Sequence, residues 1–141
     1  MDAQRQIIEV EATGKPRRFV FVLLPNFTLL CFAAAMDALR IANRMANKPL
    51  YSWVVTGEGG DTVACSAGTE FKLQEDLPEL MRDDTVMVCG GLDVQKGTTK
   101  KLLNWLRREA RLGQRLFRDG QRRDAWLCAA TRYEWLQAVA G

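Results

Sequence analysis

The chain has 141 residues, of which 48% are hydrophobic, and a net charge of +3. A chain of this length buries enough surface for one hydrophobic core, so we expect one domain. It contains no histidine, which excludes the Ser-His-Asp and Cys-His arrangements that use an imidazole to carry a proton at neutral pH. No apolar run reaches the roughly 20 residues that span a bilayer, and no signal peptide is evident, so a soluble, cytoplasmic protein is expected.

The cysteines and the basic residues follow no metal-binding or nucleic-acid pattern. The four cysteines are far apart and form no CxxC pair, so the sequence predicts no metal site, no cofactor and no disulfide framework. We expect Cys31 and Cys65 to be buried packing thiols. The basic residues of the second half fall opposite leucines on a helical wheel, which is typical of a solvated helix face rather than of a DNA-contacting one.

The first half of the chain predicts a strand, a helix and a second strand. The unbroken apolar run 19–24 indicates a buried parallel strand. Apolar residues at helical spacing then predict a long amphipathic helix, which Thr28 can cap and Pro49 stops. Residues 51–56, rich in aromatic and β-branched side chains, predict the next strand and hence a right-handed crossover between parallel strands.

The middle of the chain predicts a hairpin and a second central strand. Residues 62–65 and 70–73 are short β segments on either side of a Ser-Ala-Gly turn, which favours a hairpin. Residues 76–82 predict a short helix. The apolar run 85–89, which ends at a Gly-Gly pair, predicts a buried strand in the centre of the sheet.

One more amphipathic helix completes the predicted domain. It spans 100–112, with Thr98 or Thr99 as its cap and Gly113 after its end. The alternation of strands and helices indicates an open, mostly parallel α/β sheet with helices on both faces.

The two ends of the chain do not fit this pattern. Residues 1–17 are polar and aperiodic and are interpreted as a flexible leader. Residues 114–141 are an atypical tail, in which a C-terminal amphipathic helix is predicted from the spacing of Trp126, Ala130, Tyr133 and Ala140. We interpret the abrupt change near Gly113 as a truncation or a reading-frame shift, which would leave the sheet incomplete at its C-terminus.

An ordered set of short motifs runs through residues 18–113. They are FVFVLLPNF at 19–27, MDALRIAN at 36–43, LYSW at 50–53, SAG at 66–68, VCGG at 88–91 and WLRR at 105–108. Together they resemble the N-terminal sensor domain of AraC-type, GlxA-like transcription regulators, which is similar to the PfpI-like, class I glutamine amidotransferase-like superfamily. Within that group, the chain looks most like regulators of carnitine and glycine-betaine catabolism.

The resemblance implies a flavodoxin-like domain that binds a small-molecule effector and forms homodimers. In the family, a helix-turn-helix module follows this domain and contacts DNA, and that module is absent from this chain. The resemblance to regulators of carnitine and glycine-betaine catabolism implies control of catabolic genes by a small metabolite, such as a quaternary amine.

The effector crevice is expected at the carboxyl edge of the sheet, where open α/β folds hold their ligands. Cys89 is there either a buried thiol in a tight turn or a ligand contact. The paired glycines either permit the turn or present backbone N–H groups to an anionic or carbonyl group, and aromatic side chains are available for a cation. The expected lining is Pro25, Asn26, Phe27, Cys89, Gly90, Gly91 and Leu92.

The superfamily's enzymes have two features that this sequence lacks. They place an acidic residue just after the first strand, near Phe27 and Thr28, and a nucleophilic cysteine on a sharp turn after the strand that should follow Gly113. Neither position matches, so we expect no catalytic residues and no enzyme. Two alternatives stay open: a PfpI-like cysteine hydrolase or amidotransferase fragment, and a dimerisation-only or inactive remnant.

Overall fold

The computed structural model describes residues 14–81, 83–91 and 98–108, together with the backbone of 124–128. Leader residues 1–13, Leu92, the end of the helix predicted at 100–112 and most of the tail lie outside these residues. In chain order the elements are β1 (Arg17–Leu23), α1 (Leu29–Ala46), β2 (Tyr51–Thr56), β3 (Thr62–Ala64), β4 (Glu70–Lys72), β5 (Thr85–Cys89), α2 (described over 100–108) and β6 (Asp124–Cys128).

One parallel sheet of four strands organises these elements, in the order β2-β1-β5-β6. A separate antiparallel hairpin consists of β3 and β4, which confirms the predicted hairpin. Because β1 and β5 are the central strands, their carboxyl ends lie side by side at one edge of the sheet. The α/β class and the parallel sheet are therefore confirmed.

β1 is apolar from Phe19 onwards because both of its faces are covered there. The side chains of Phe19, Phe21 and Leu23 lie in one buried cluster with Phe32 of α1. The alternate side chains lie in a second buried cluster on the opposite face of the sheet. That second cluster joins Val20 and Val22 of β1, and Leu24 directly after it, to Leu102, Trp105 and Leu106 of α2. The unbroken apolar run thus indicated correctly that a helix covers each face.

α1 begins and ends close to the predicted positions, but for different physical reasons. Thr28 is the N-cap residue, yet its side chain makes no capping hydrogen bond, and its backbone N–H donates to the Gly90 carbonyl at 3.1 Å. At the other end Asn47 takes the left-handed conformation with φ 52°, and its N–H donates to the Arg44 carbonyl at 3.2 Å. This left-handed turn ends the helix before Pro49 is reached.

The short helix predicted over 76–82 is wrong for residues 76–81, which form no helix. The carboxylate of Asp76 accepts the N–H of Leu77 at 2.8 Å, which competes with a helical turn. The Pro78 carbonyl accepts the indole N–H of Trp105 at 3.0 Å. These two hydrogen bonds, one local and one to α2, therefore use backbone groups that a helix would have paired along its own axis.

Two predictions at the ends of the domain need correction. Arg17, assigned to the leader, belongs to β1 and its N–H donates to the Leu50 carbonyl at 3.0 Å. Trp126, assigned to a C-terminal helix, lies in β6, where it is the register partner of Met87 in a parallel pair. A strand therefore follows Gly113 after all, inside the segment that the sequence assigns to the tail.

The cysteine predictions are half correct. Cys65 is buried with a free thiol, as expected of a packing residue. Cys31 lies half-buried on α1 and is disulfide-bonded, so the expectation of a free packing thiol there is wrong. Spacing along the chain does not report which cysteines the fold brings within bonding distance, which is why the sequence missed this bond.

Candidate functional site

The fold brings the predicted crevice residues together through main-chain contacts at the carboxyl ends of β1 and β5. The N–H of Leu24 donates to the Cys89 carbonyl at 3.0 Å, and the N–H of Thr28 donates to that of Gly90 at 3.1 Å. Asn26 takes the left-handed conformation with φ 61° and donates its N–H to the Ala64 carbonyl at 2.9 Å. The turn after β1 is therefore held by both β5 and the hairpin.

Close packing fills the crevice that was expected between β1 and β5. Gly91 is buried, and a Cβ atom added to it would lie 2.4 Å from the Asn26 carbonyl oxygen. Only a glycine allows the two backbone segments to approach so closely. Pro25 and Asn26 are exposed, whereas Gly90 is buried. Gly91 thus serves this close approach.

The side chains of Phe27 and Cys89 are both fully buried and belong to the cluster beneath α1. The ring of Phe27 makes edge contacts with Phe32 and Phe71, with centroids 5.8 Å and 5.6 Å away. These aromatic rings stabilise one another in the core rather than facing a crevice.

Cys89 lacks the properties of a reactive thiol. Burial raises the pKa of its thiol to about 12, so the thiol is protonated at neutral pH and is a poor nucleophile. Just after β1, the position at which the enzymes of the resembled superfamily carry an acidic residue is occupied by the buried Phe27 and the half-buried Thr28. β6 ends at Cys128, in register with Cys89, and the expectation that the chain has no catalytic residues stays a prediction.

An open cavity of about 320 Å³ lies at the same edge of the sheet, beside the turn after β1. Its size is at the lower end of the range for small-molecule sites. Among the described members of the predicted set, Pro25 alone lines it. The described lining is Leu23, Leu24, Pro25, Glu58, Gly59, Thr62, Val63, Leu73 and Thr99.

Glu58 and Thr99 join two loops across this cavity. The hydroxyl of Thr99 donates a hydrogen bond to the Glu58 carboxylate. The same hydroxyl oxygen accepts the N–H of Leu102 at 3.2 Å, which confirms Thr99 as the cap of α2. The loop that follows β2 is therefore tied to the first turn of α2.

A second tie runs beside the first. The carboxylate of Asp76 accepts the N–H of Gly59 at 3.4 Å and pairs with the ammonium group of Lys101 at 3.3 Å. Hydrogen bonds from the backbone of Leu77 and Gly59, together with Lys101, lower the pKa of Asp76 below 3.8. The loop after β2 is thus fixed at Gly59 as well as at Glu58.

Sequence reasoning named Thr99 as a helix cap but missed Glu58. The two residues are 41 positions apart, so no local pattern connects them. Glu58 did carry one indication, because it is a lone carboxylate in the Gly-Glu-Gly-Gly stretch that directly follows the buried strand β2. Such a loop lies at the carboxyl edge of a parallel sheet, where ligand contacts concentrate.

Two further findings concern the described residues alone. No group of three or more His, Cys, Asp or Glu side chains among them is arranged to hold a metal ion. None of the described helices is long and apolar enough to cross a membrane.

The sheet order and the cavity define the class of the molecule as an open, parallel α/β domain. No family model matches the chain. It is similar to the HTH-type transcriptional regulator GbdR of Pseudomonas aeruginosa, with 35% identity over 101 residues that cover 72% of this chain and 28% of GbdR. It is likewise similar to the HTH-type transcriptional regulator GlxA of Rhizobium meliloti, with 39% identity over 101 residues that cover 71% of this chain and 31% of GlxA.

A solved structure agrees with these relatives. The crystal structure of an AraC family transcriptional regulator from Pseudomonas putida matches with a TM-score of 0.56 and 27% identity, and the match covers 78% of this chain and 55% of that one. The chain matches the GlxA-like domain of AraC-type transcription regulators, as its motifs indicated. It spans less than a third of the length of the curated relatives.

Proposed function

We propose that this chain is the effector-sensing and dimerising domain, flavodoxin-like in fold, of an AraC-type regulator of catabolic genes in the cytoplasm. DNA would be contacted by a helix-turn-helix domain outside the 141 residues. The observation that carries the proposal is the 35% to 39% identity to proteins named as transcriptional regulators.

The cavity supports the sensing part of the proposal. It lies at the carboxyl edge of a parallel sheet, and five aliphatic side chains and a carboxylate line it, which suits a small metabolite with both apolar and polar parts. A quaternary amine is the candidate effector that the resemblance to regulators of carnitine and glycine-betaine catabolism implies.

Isothermal titration of the folded 141-residue chain with carnitine, glycine betaine and dimethylglycine tests the sensing role. Saturable binding of any of the three is the expected result. Circular dichroism on the same sample confirms that the chain is folded. Silence from all three compounds with a folded sample would contradict the quaternary-amine class.

The outward face of α1 supports dimerisation. Leu30, Ile41 and Met45 are 76%, 45% and 84% exposed, and they fall on one stripe of the helix together with Ala34 and Ala38. In an antiparallel, two-fold pairing of α1 with a second copy, Leu30 of one copy would lie near Ile41 and Met45 of the other. Ala34 and Ala38 would then lie at the centre of the contact. Such self-complementarity is what an isologous interface requires.

Light scattering after gel filtration tests the dimer. Met45→Glu is expected to shift the wild-type dimer to monomer, because a carboxylate would be buried in the apolar contact. Met81→Glu is the matched control, since Met81 is 65% exposed away from α1, and it should stay dimeric. A monomeric wild type, or dimers from both variants, would contradict this interface.

The alternative, a PfpI-like cysteine hydrolase or amidotransferase fragment, has one observation in its favour, which is that β6 ends at Cys128. Labelling with a thiol-reactive probe near neutral pH distinguishes the two functions. We expect slow labelling of Cys89, because its pKa is raised to about 12. Fast labelling that Cys89→Ser abolishes would favour the enzyme.

A further inference from the structure

The cavity at the carboxyl edge combines aliphatic walls with one carboxylate. Glu58 is the charged residue of its described lining, and the apolar part comes from Leu23, Leu24, Pro25, Val63 and Leu73. In the described part of the chain, no lysine or arginine forms an ion pair with Glu58. This arrangement suits a ligand with a positive head group and an apolar body, because each part then meets a complementary surface.

The Glu58 carboxylate is held in place before any ligand arrives. One of its oxygens, Oε2, accepts the Thr99 hydroxyl. Thr99 is fixed in turn, because it caps α2 by accepting the N–H of Leu102 at 3.2 Å. A carboxylate oxygen accepts more than one hydrogen bond, and Oε1 receives none from the described residues. A preorganised acceptor of this kind loses little conformational entropy when it binds.

The kind of cation that suits the cavity follows from the residue types in its described lining. Quaternary ammonium groups have no N–H and are recognised mainly by aromatic faces, yet no described lining residue is aromatic. The aromatic rings near this edge are packed against one another under α1, with Phe27, Phe32 and Phe71 in mutual edge contact. An ammonium group that bears N–H, by contrast, can donate a charge-assisted hydrogen bond to the carboxylate.

We propose that this cavity binds a small primary or secondary ammonium compound, with Glu58 as the charge-selecting contact and Thr99 as the residue that positions it. The inference rests on the proposed sensing function and narrows its ligand class, since it favours an N–H-bearing amine over a quaternary amine at this site.

Three probes with the same alkyl chain test the proposal by isothermal titration of the full chain at pH 7. They are n-butylammonium, butyltrimethylammonium and 1-butanol, which differ in charge and in the ability to donate hydrogen bonds. We expect n-butylammonium to bind roughly tenfold more tightly than either of the other two, equivalent to about 1.4 kcal/mol. Equal or tighter binding of butyltrimethylammonium or of 1-butanol would overturn the proposal, as would no binding of n-butylammonium.

Variants of the two polar residues localise the effect. Glu58→Gln keeps an acceptor for the Thr99 hydroxyl and removes the charge, so the roughly tenfold preference should disappear. Glu70→Gln removes a charge from an exposed strand residue that does not line the cavity, and it should keep the preference. Retention of the preference by Glu58→Gln would contradict the assignment.

Thr99 is tested through selectivity rather than through stability. Thr99→Val should reduce the preference for n-butylammonium over 1-butanol, and Thr99→Ser should restore it, because serine supplies the same hydroxyl. A purely structural role would change the melting temperature and leave this ratio unaltered. If n-butylammonium fails while glycine betaine or carnitine binds, the sensing function stands and this inference falls.

Discussion

The two edges of the parallel sheet are built in different ways. At the amino edge, Arg18 of β1 and Asp84 before β5 form a two-pronged ion pair, with Nη2 to Oδ2 at 2.6 Å and Nε to Oδ1 at 3.1 Å. Asp84 is 3% exposed and also accepts the N–H of Met81 at 2.8 Å. These side chains satisfy each other and leave nothing to offer a ligand.

The carboxyl edge is built instead from main-chain contacts, glycines and tied loops. Gly91 packs on Asn26, while the loop after β2 leaves an open cavity with a carboxylate in it. The amino edge therefore contributes stability, whereas the carboxyl edge leaves an open cavity.

Asp84→Asn should cause the largest loss of stability, about 3 kcal/mol, because it leaves the Arg18 guanidinium without its anionic partner in a partly buried place. Urea denaturation measures this loss. Arg40→Ala is the control, since its ion pair with Asp37 is exposed on α1 and should be worth less than about 0.5 kcal/mol. Similar losses for the two variants would contradict a special role for the amino edge.

Gly91→Ala should destabilise the domain by about 2 kcal/mol, because the added methyl group overpacks a rigid site. The new Cβ atom would lie 2.4 Å from the Asn26 carbonyl oxygen. At Gly60 the nearest atom to such a Cβ is 3.4 Å away, so Gly60→Ala should leave the urea midpoint unchanged or slightly higher. A harmless Gly91→Ala would mean that the two segments separate easily.

Two buried threonines extend the comparison of the two edges to single hydroxyl groups. Thr56 ends β2 and Thr85 begins β5. The Thr56 hydroxyl donates to the Glu75 carbonyl at 2.7 Å, so Thr56→Val should cost about 1 kcal/mol. The buried Thr85 hydroxyl has no hydrogen-bond partner among the described residues, so Thr85→Val should preserve or raise stability. Thermal unfolding measures both, and the opposite order would contradict this hydrogen-bond assignment.

The smallest expected effect concerns acid. The pKa of Asp76 is lowered below 3.8, chiefly by the N–H of Leu77 and then by that of Gly59. A lowered pKa in the folded state means that the ionised form stabilises the fold above the unfolded-state pKa, and that this contribution is lost as the pH falls through the folded-state pKa.

The difference in urea midpoint between wild type and Asp76→Asn should therefore be largest at pH 6 and shrink towards pH 3. Asp61→Asn serves as a control with an exposed side chain in the same loop region. A difference in urea midpoint that grows as the pH falls would contradict a stabilising role of the ionised Asp76 carboxylate.

The strands β1 to β5, the long helix and the resemblance to AraC-type regulators could be predicted from the sequence, because they depend on local periodicity and on ordered motifs, whereas β6 was missed. The apolar run 19–24 requires cover on both faces wherever it is placed, and α1 and α2 supply it. The sequence also indicated the edge of the sheet at which the cavity lies, since strand polarity follows from the parallel crossover.

Which residues at that edge are buried and which line the cavity depends on the tertiary structure. Phe27 and Cys89 were expected to line a crevice, yet the hairpin and α1 cover them completely. Glu58 and Thr99, 41 residues apart, meet only because the loop after β2 and the start of α2 reach the same edge. Local sequence patterns carry no record of such long-range approaches, and these approaches determine whether a side chain at the carboxyl edge is buried or exposed to a ligand.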